Sequence, residues 1–566
     1  MHQLNQSEVL DLLVSASWEV CNKIGGIYAV LSTQAANLQK IYKDNAIYVG
    51  PDVWRQEGVE SPYFIEDGSV LKNWRGRTSL PEGVRVRVGR WNVPGRPVAI
   101  LVDFQSMYAG KDAFYGRMWQ LYGVDSLHAY GDYDEACAFS HAAGIVVASL
   151  YDHFSALKAK KKGASPLNAA AHFHEWTTGM GLLYIKAERP EIATLFTTHA
   201  TSIGRSICGN GKPLYDYLKG YNGDQMAREL NMESKHSLEK TAAHQADCFT
   251  TVSDITAAEC EQLLDKRPDI VTPNGFEAGF VPSGKEFAAA RAKARKMLAE
   301  VARSLTGCAE NDDTFFVATS GRCEYRNKGI DIYLDVMATL RARAEQLNRK
   351  IVAFVMVPAW VDKARQDLRK SIDAQSAATL PDPVITHTVH NPDSDPILCR
   401  IHGLGFGAID KRLAVIYVPC YLDGRDGIFN GMTYYDLLIG MDATVFPSYY
   451  EPWGYTPLES CAFGVPTVTT SLSGFGQWIL RSLEATFEGC GVNVVARGDN
   501  NYGHVVDSIS NSLRFLINSD KTQVAAISAA AHHTAECAAW DHFIKYYIEA
   551  YAIAERNRDA RTGSGM

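Results

Sequence analysis

Short, fully apolar runs alternate with helix-length segments along almost the whole chain, and the alternation starts afresh once. In the first half VLDLLVSAS, AIYVGP, VAILVDF, AAAHFHEW and LFTTHA read as strands. Between them IYAVLSTQAANLQK and ACAFSHAAGIVVASLYDHF carry apolar residues at helical spacing. From Phe315 the pattern restarts with FFVATSG, KIVAFVMVP, LAVIYVP, ATVFPS and VPTVTT. A strand that is apolar on both faces must be covered on both, which is the situation in parallel sheets flanked by helices. The chain is therefore expected to be α/β, with two doubly wound, Rossmann-like domains, each built on a mostly parallel sheet. The changeover should fall between Gly275 and Asp313, an interval holding a charged helix, Lys285 to Leu305, and the polar loop GCAENDD. The boundaries drawn are residues 1–285 for the first domain, 286–525 for the second and 526–566 for closing helices. With 566 residues and 46% hydrophobic content, both halves can bury a core of their own.

Bulk chemistry narrows the class further. The net charge of -8 is spread along the chain and argues against a nucleic-acid scaffold. The 12 cysteines show no CxxC pair or regular spacing, which fits a reduced, cytoplasmic protein. No apolar run reaches the roughly 18 residues of a membrane span, and the N-terminus lacks a signal-type apolar stretch. The basic run Lys158 to Gly163 reads as a solvated loop, and the tail GSGM as disordered.

Two facing domains of this kind would enclose a cleft at the carboxyl ends of both sheets, where open α/β sheets bind ligands. After the first strand comes Lys23-Ile24-Gly25-Gly26, either a tight turn or a loop whose amides, aided by Lys23, hold an anion at a helix N-terminus. In HFHEW, the HxH spacing supplies only two metal ligands with no third, so no metal is expected; Glu175 and Trp176 could instead contact a sugar. TTHATSIGR brings His199 and Arg205 to another strand end. Arg322 and Lys328, after FFVAT, suit a diphosphate. In SYYEPWGYTPLES the spacing predicts a capping box, with Thr456 as N-cap, Pro457 at the first helical position and Glu459 three residues on. Glu451 to Tyr455 then form a strand-to-helix loop, with amides around Gly454 available to phosphate oxygens. A carboxylate beside phosphates is repelled by them, so Glu451 should face the anomeric end of a sugar, which becomes cation-like as its bond to phosphate breaks. LSGFGQW adds one more glycine-rich loop. The set describes a nucleotide-sugar site better than a hydride-transfer or ATP site.

WEVCNKIGGIY, FHEW, TTHATSIGR, TPNG, GRCEYRNKGID, YYEPWGYTPLES and SLSGFG, in this order from Trp18 to Trp478, resemble the animal and fungal type of glycogen synthase, glycosyltransferase family 3. The resemblance implies the GT-B fold, UDP-glucose as donor, glycogen as acceptor and a new α-1,4 bond formed with retention. It implies Glu451 as the catalytic carboxylate, with His199 and Arg205 facing the donor glucose and phosphate. Lys23, Gly25, Gly26, Arg322 and Lys328 would serve the diphosphate, Tyr434 would stack on uracil, and Trp453, Gly454, Tyr455 and Thr456 would line the donor site. Glu175 and Trp176 would lie on the acceptor side, the last helices would cross back to the first domain, and neither metal nor cofactor would be needed. The rival readings are a GT-B transferase using another donor such as ADP-glucose, and a non-catalytic glycan-binding protein.

The chain also departs from the resemblance. It looks like a compact member without the phosphorylated regulatory extensions. Lys285 and Asp442 stand where two histidines for glucose 6-phosphate would fall, and AAISAAAHHTAECAAW carries no arginine cluster. Activation by glucose 6-phosphate is therefore not expected. The segment between Val357 and Pro383 looks shorter than the family's helical insert, which leaves a homo-oligomer open.

Overall fold

The computed structural model describes residues 10–563 except 57, 58, 77, 78, 309–312, 344, 346 and 377–379. Most of GCAENDD and all of the tail past Gly563 lie outside the described residues. The chain divides into two compact units.

The first unit is built on a nine-stranded sheet. Its order is Phe64–Glu66, Arg85–Trp91, Val98–Asp103, Ala46–Pro51, Leu12–Ala16, Ala169–His174, Ala193–Thr198, Cys248–Thr251, Ile270–Val271. All neighbours from Val98–Asp103 onward are parallel; the two edge strands pair antiparallel. From the central strand Leu12–Ala16 the chain first builds outward through Ala46–Pro51, then returns to build the other side from Ala169–His174. Leu12–Ala16 and Ala169–His174 thus flank the topological switch point, where the loops after them diverge and leave a crevice. The long helix Tyr133–Ala159 covers one face, with Phe139, Ile145 and Leu150 in a core that also holds Leu12, Val14 and Ala16. Each of the larger side chains among these contributes about 1.5–3 kcal/mol.

The second unit has a six-stranded, all-parallel sheet in the order Leu413–Val418, Ile351–Met356, Phe315–Ser320, Ala443–Val445, Thr467–Thr470, Val492–Val495. Phe315 and Val317 lie in one hydrophobic cluster and Phe316 and Ala318 in another, on opposite faces. Both faces are covered, which is why the strand reads as an unbroken apolar run. The switch point here lies between Phe315–Ser320 and Ala443–Val445. A small two-stranded antiparallel sheet, Val361–Ala364 with His387–Val389, is separate.

The boundaries differ from 285 and 525. The second unit comprises residues 211–216 and 278–538, and the first holds the rest. The helix Gly284–Thr306 buries Met297, Leu298, Val301 and Leu305 in the second unit's core, so the change falls at Glu277. The helix Lys521–Cys537 also stays there: Ser528 Oγ donates to the Gly464 carbonyl at 2.6 Å and Thr534 Oγ1 to that of Cys490 at 2.8 Å. The helix Trp540–Thr562 belongs to the first unit. There Trp540 Nε1 donates to Thr33 Oγ1 at 2.7 Å, and a Cβ on Gly275 would sit 2.6 Å from the Trp540 ring. All twelve cysteines are free thiols. No helix among the described residues is long and apolar enough to cross a membrane.

Candidate active site

In the second unit the loops flanking the switch point are stitched together. The Asn327 carbonyl accepts the amides of Tyr449 at 2.8 Å and Tyr450 at 3.0 Å. Gly329, at φ +68°, opens the helix Ile330–Ala342; a Cβ there would meet the Pro447 carbonyl oxygen at 1.9 Å. Only glycine permits that approach, and it sets Lys328 against the other loop. Lys328 Nζ lies 2.5 Å from Glu451 Oε2, with side chains 16% and 12% exposed. Ser448 Oγ is 3.4 Å from the same oxygen. The glycine-rich loop after the next strand holds the backbone that carries the carboxylate: Gly474 donates to the Glu451 main-chain carbonyl at 3.1 Å and Phe475 to that of Trp453 at 2.7 Å.

The helix behind this loop does not begin as the capping box predicted. It runs Tyr455–Ala462 with Gly454 as N-cap at φ +112° and no side-chain cap. Left-handed backbone at Gly454 starts the helix two residues early, placing Thr456 inside the first turn. Glu459 instead accepts from the Tyr435 hydroxyl at 2.8 Å. A capping box does occur at Thr433 and Asp436, ahead of the helix Tyr434–Leu438. At the other end Gly464, at φ +63°, closes the Tyr455–Ala462 helix.

Trp453 is 4% exposed, and its ring packs edge-on to Phe475 at 6.3 Å. Tyr455 and Thr456 are half-buried. Tyr434, half-buried, opens the helix Tyr434–Leu438; its hydroxyl lies 2.8 Å from Oγ of Ser320, the last residue of Phe315–Ser320, and burial raises its phenol pKa. Arg322 is exposed and lies 3.2 Å from Glu324. Asp442 is sealed: it accepts from Arg291 and Arg295, both at 2.8 Å, and from the Phe316 amide at 2.9 Å.

In the first unit, two loops flank the other switch point. Lys23 is exposed, its ammonium 5.8 Å from the Tyr28 ring centroid. Gly25 caps the helix Gly26–Tyr42, but its amide and that of Tyr28 both donate to Glu19 Oε2 at 2.8 Å. A carboxylate of the chain itself thus holds two of the amides expected to face a ligand. A Cβ on Gly26 would meet nothing within 4 Å, so the protein's own packing does not demand glycine there.

Glu175 sits at φ +70° and ψ 164°, a region almost reserved for glycine. Its Oε1 accepts the amides of His199 at 2.8 Å and Ala200 at 3.1 Å. Burial, then the neighbouring Glu239, raises its pKa to about 8, and Arg205 pulls it back. Its visible contacts hold a loop rather than face a cavity. The Trp176 ring is also engaged, stacked on Tyr133 at 6.0 Å and 8° and covered by Lys235 Nζ at 4.8 Å. His199 Nε2 lies 3.1 Å from His174 Nδ1, and His172 Nε2 lies 2.7 Å from Thr197 Oγ1. Burial drops His172 and His199 to about 3, so both rings are neutral at pH 7. Among the described residues no three His, Cys, Asp or Glu side chains are grouped to hold a metal ion.

The structure therefore joins Lys328 to Glu451 and Glu175 to the His199 segment. Sequence reasoning missed Glu19, Glu239 and the stitching carbonyl of Asn327. Glu19 lies inside a quoted motif, but no spacing rule marks a side chain that caps a loop six residues on.

Comparison with known proteins follows the same lines. A family model described as glycogen synthase matches residues 15–367 and 361–559. The liver glycogen (starch) synthase of Rattus norvegicus is 31% identical over 522 residues, covering 82% of this chain and 72% of that one. The glycogen (starch) synthase of Dictyostelium discoideum is 29% identical over 616 residues, 98% of this chain and 68% of that one. That of Neurospora crassa is 28% identical over 608 residues, 96% and 84%. Among solved structures, the catalytic domain of starch synthase IV from Arabidopsis thaliana, bound to ADP and acarbose, is similar at a TM-score of 0.55 and 13% identity. The match covers 97% of this chain and 99% of that one. The fold is GT-B.

Proposed function

The chain belongs to the glycogen synthase family, and we propose that it transfers glucose from UDP-glucose to the non-reducing end of glycogen, forming α-1,4 bonds with retention. The observation that carries the reading is the Lys328–Glu451 pair at the second unit's switch point. Catalysis is largely electrostatic. The bond from the anomeric carbon to the diphosphate oxygen breaks, and Lys328, Arg322 and the first-turn amides of the Tyr455–Ala462 helix take the departing charge. Glu451 stabilises the cation-like sugar. The acceptor hydroxyl attacks from the same face, and its proton passes to the leaving phosphate oxygen. Lys and Arg supply the neutralisation a metal would otherwise bring, so no metal or cofactor enters the scheme. Tyr434, whose hydroxyl reaches Ser320 at the strand end, is assigned to the base. The protein is assigned to the cytoplasm, in keeping with its free thiols.

The test is a donor competition. With glycogen present, UDP-glucose should give kcat/KM at least about tenfold above ADP-glucose, a preference of roughly 1.4 kcal/mol. Equal or reversed preference overturns the donor assignment, and no transfer from either donor overturns the enzyme reading.

Glucose 6-phosphate should leave the rate unchanged. Arg291 and Arg295, the cations nearest Asp442, are already bonded to it and to the carbonyls of Ile439, Met441, Gly440 and Thr314. A several-fold rise in rate on adding the sugar phosphate contradicts this.

A further inference from the structure

Five consecutive residues of the first unit, Thr198 to Ser202, are held by three carboxylates from three elements. Glu175 takes the amides of His199 and Ala200. Glu259, on the helix Asp254–Leu263, accepts the Thr201 hydroxyl at 2.8 Å. Glu239, on the helix Glu233–Gln245, accepts most: the Ser202 amide at 2.9 Å and hydroxyl at 2.5 Å on Oε2, and the Thr198 hydroxyl at 3.2 Å on Oε1. A Cβ on Gly204 would come within 2.6 Å of Glu259 Oε2, so glycine is what lets that acid close in. Glu239 is fully buried and Glu259 nearly so. Burying a carboxylate is costly unless its lone pairs are used, and apolar side chains would fill the same volume without that cost. What the acids add is directional acceptors, at the stretch that leads from a strand end into the helix carrying Arg205.

We propose that Glu239 is a positioning residue for the transfer: through Thr198 and Ser202 it fixes the segment that presents His199 and Arg205. This rests on the proposed function for its kinetic readout. The groups around Glu239 come from every packed element. Arg205 acts on both Glu239 and Glu175 as the local cation, and Glu259 and the Cys260 thiol adjoin from the Asp254–Leu263 helix. His199 is neutral, while His236 and Lys240 on Glu239's own helix turn to Asp224. Burial raises Glu239 to about 7 and Glu175 to about 8, so the pair titrates as a unit near neutrality. The ionised Glu239 is the form that offers acceptors alone.

Glu239→Gln keeps the shape but turns one acceptor into an NH2 donor facing hydrogens. Hydrogen exchange of the peptide spanning 198–205 should speed up about tenfold, and kcat should fall about ten- to a hundredfold with donor KM changed less than about threefold. In the parent enzyme kcat should rise with pH through an apparent pKa near 7, a limb that Glu239→Gln flattens. Glu239→Asp should recover part of the rate. Ser202→Ala, which removes only the hydroxyl contact, should move exchange in the same direction by less and serves if Glu239→Gln does not fold. Unchanged exchange with kcat within twofold in both variants overturns the proposal. Exchange decides the positioning even if the parent enzyme transfers no glucose, an outcome that would instead overturn the proposed function.

Discussion

Glu451→Gln should lower kcat about a thousandfold, roughly 4 kcal/mol of lost transition-state stabilisation. The substitution is nearly isosteric, and the backbone around position 451 is held by its own bonds to the Gly474 loop, so the fold should survive. What disappears is one negative charge at the place where the sugar gains positive charge. A group that acts only in the transition state lowers kcat and kcat/KM together, leaving KM little changed.

The same variant carries an opposite-signed expectation for the product. In the ligand-free chain Lys328 is paired with Glu451. A diphosphate must share that ammonium with the carboxylate. Neutralising position 451 removes the competitor, so UDP should bind as tightly as before or about two- to fivefold more tightly, the scale of a partly exposed ion pair. Calorimetric titration with UDP and single-turnover transfer on the same preparation read both quantities. Turnover within tenfold of the parent removes Glu451 from the chemistry. Lost turnover with UDP affinity lowered tenfold or more would make Glu451 a structural support of the phosphate site instead.

The sheets were legible because their central strands are buried on both faces, leaving Phe315–Ser320 and Ala46–Pro51 as runs no helix or loop would show. The edge strands were not: Arg85–Trp91 alternates polar and apolar residues and pairs antiparallel at the rim. Glu451 stood out as a candidate because a strand end, an aromatic loop and a helix start crowd into thirteen letters. Its partner could not be read locally, since Lys328 lies 123 residues away and is brought in by the Asn327 carbonyl. The capping box failed for a local reason of another kind. Side-chain spacing allowed Thr456 to cap, but the backbone at Gly454 decided the helix start. Trp453 read as a donor wall from its place beside Glu451, and its packing on Phe475 could not be read from spacing. Glu239 and Glu259 gave no signal, because an acid on a helix ordinarily reads as a solvated face.

Asp442→Ala should destabilise the second unit by about 3 kcal/mol, the lower end of the cost of breaking a buried pair, because the arginines left without their counter-charge are half-buried. Asp442 is 8% exposed at its side chain and faces Arg291, Arg295 and, at 3.7 Å, Arg349. Burial already disfavours the Arg291 guanidinium, and Asp442 is the first group that offsets this. The arginines also bind carbonyls of 439–441 and Thr314, so the carboxylate ties the Gly284–Thr306 helix to the start of the central strand at Phe316. Melting should fall by about 10 °C, at roughly 2–4 °C per kcal/mol for a unit of this size. Charge and packing give different signatures on rescue. If charge dominates, the variant leaves a cationic hole, and sulfate or phosphate should restore the melting point by mass action, about 2.7 kcal/mol at a hundred times the dissociation constant. The parent, whose arginines hold an internal carboxylate, should gain much less from the same anion. A fall of less than about 3 °C contradicts the role given to Asp442, and an equal anion response in variant and parent contradicts the internal-anion account of why the sugar phosphate should not act here.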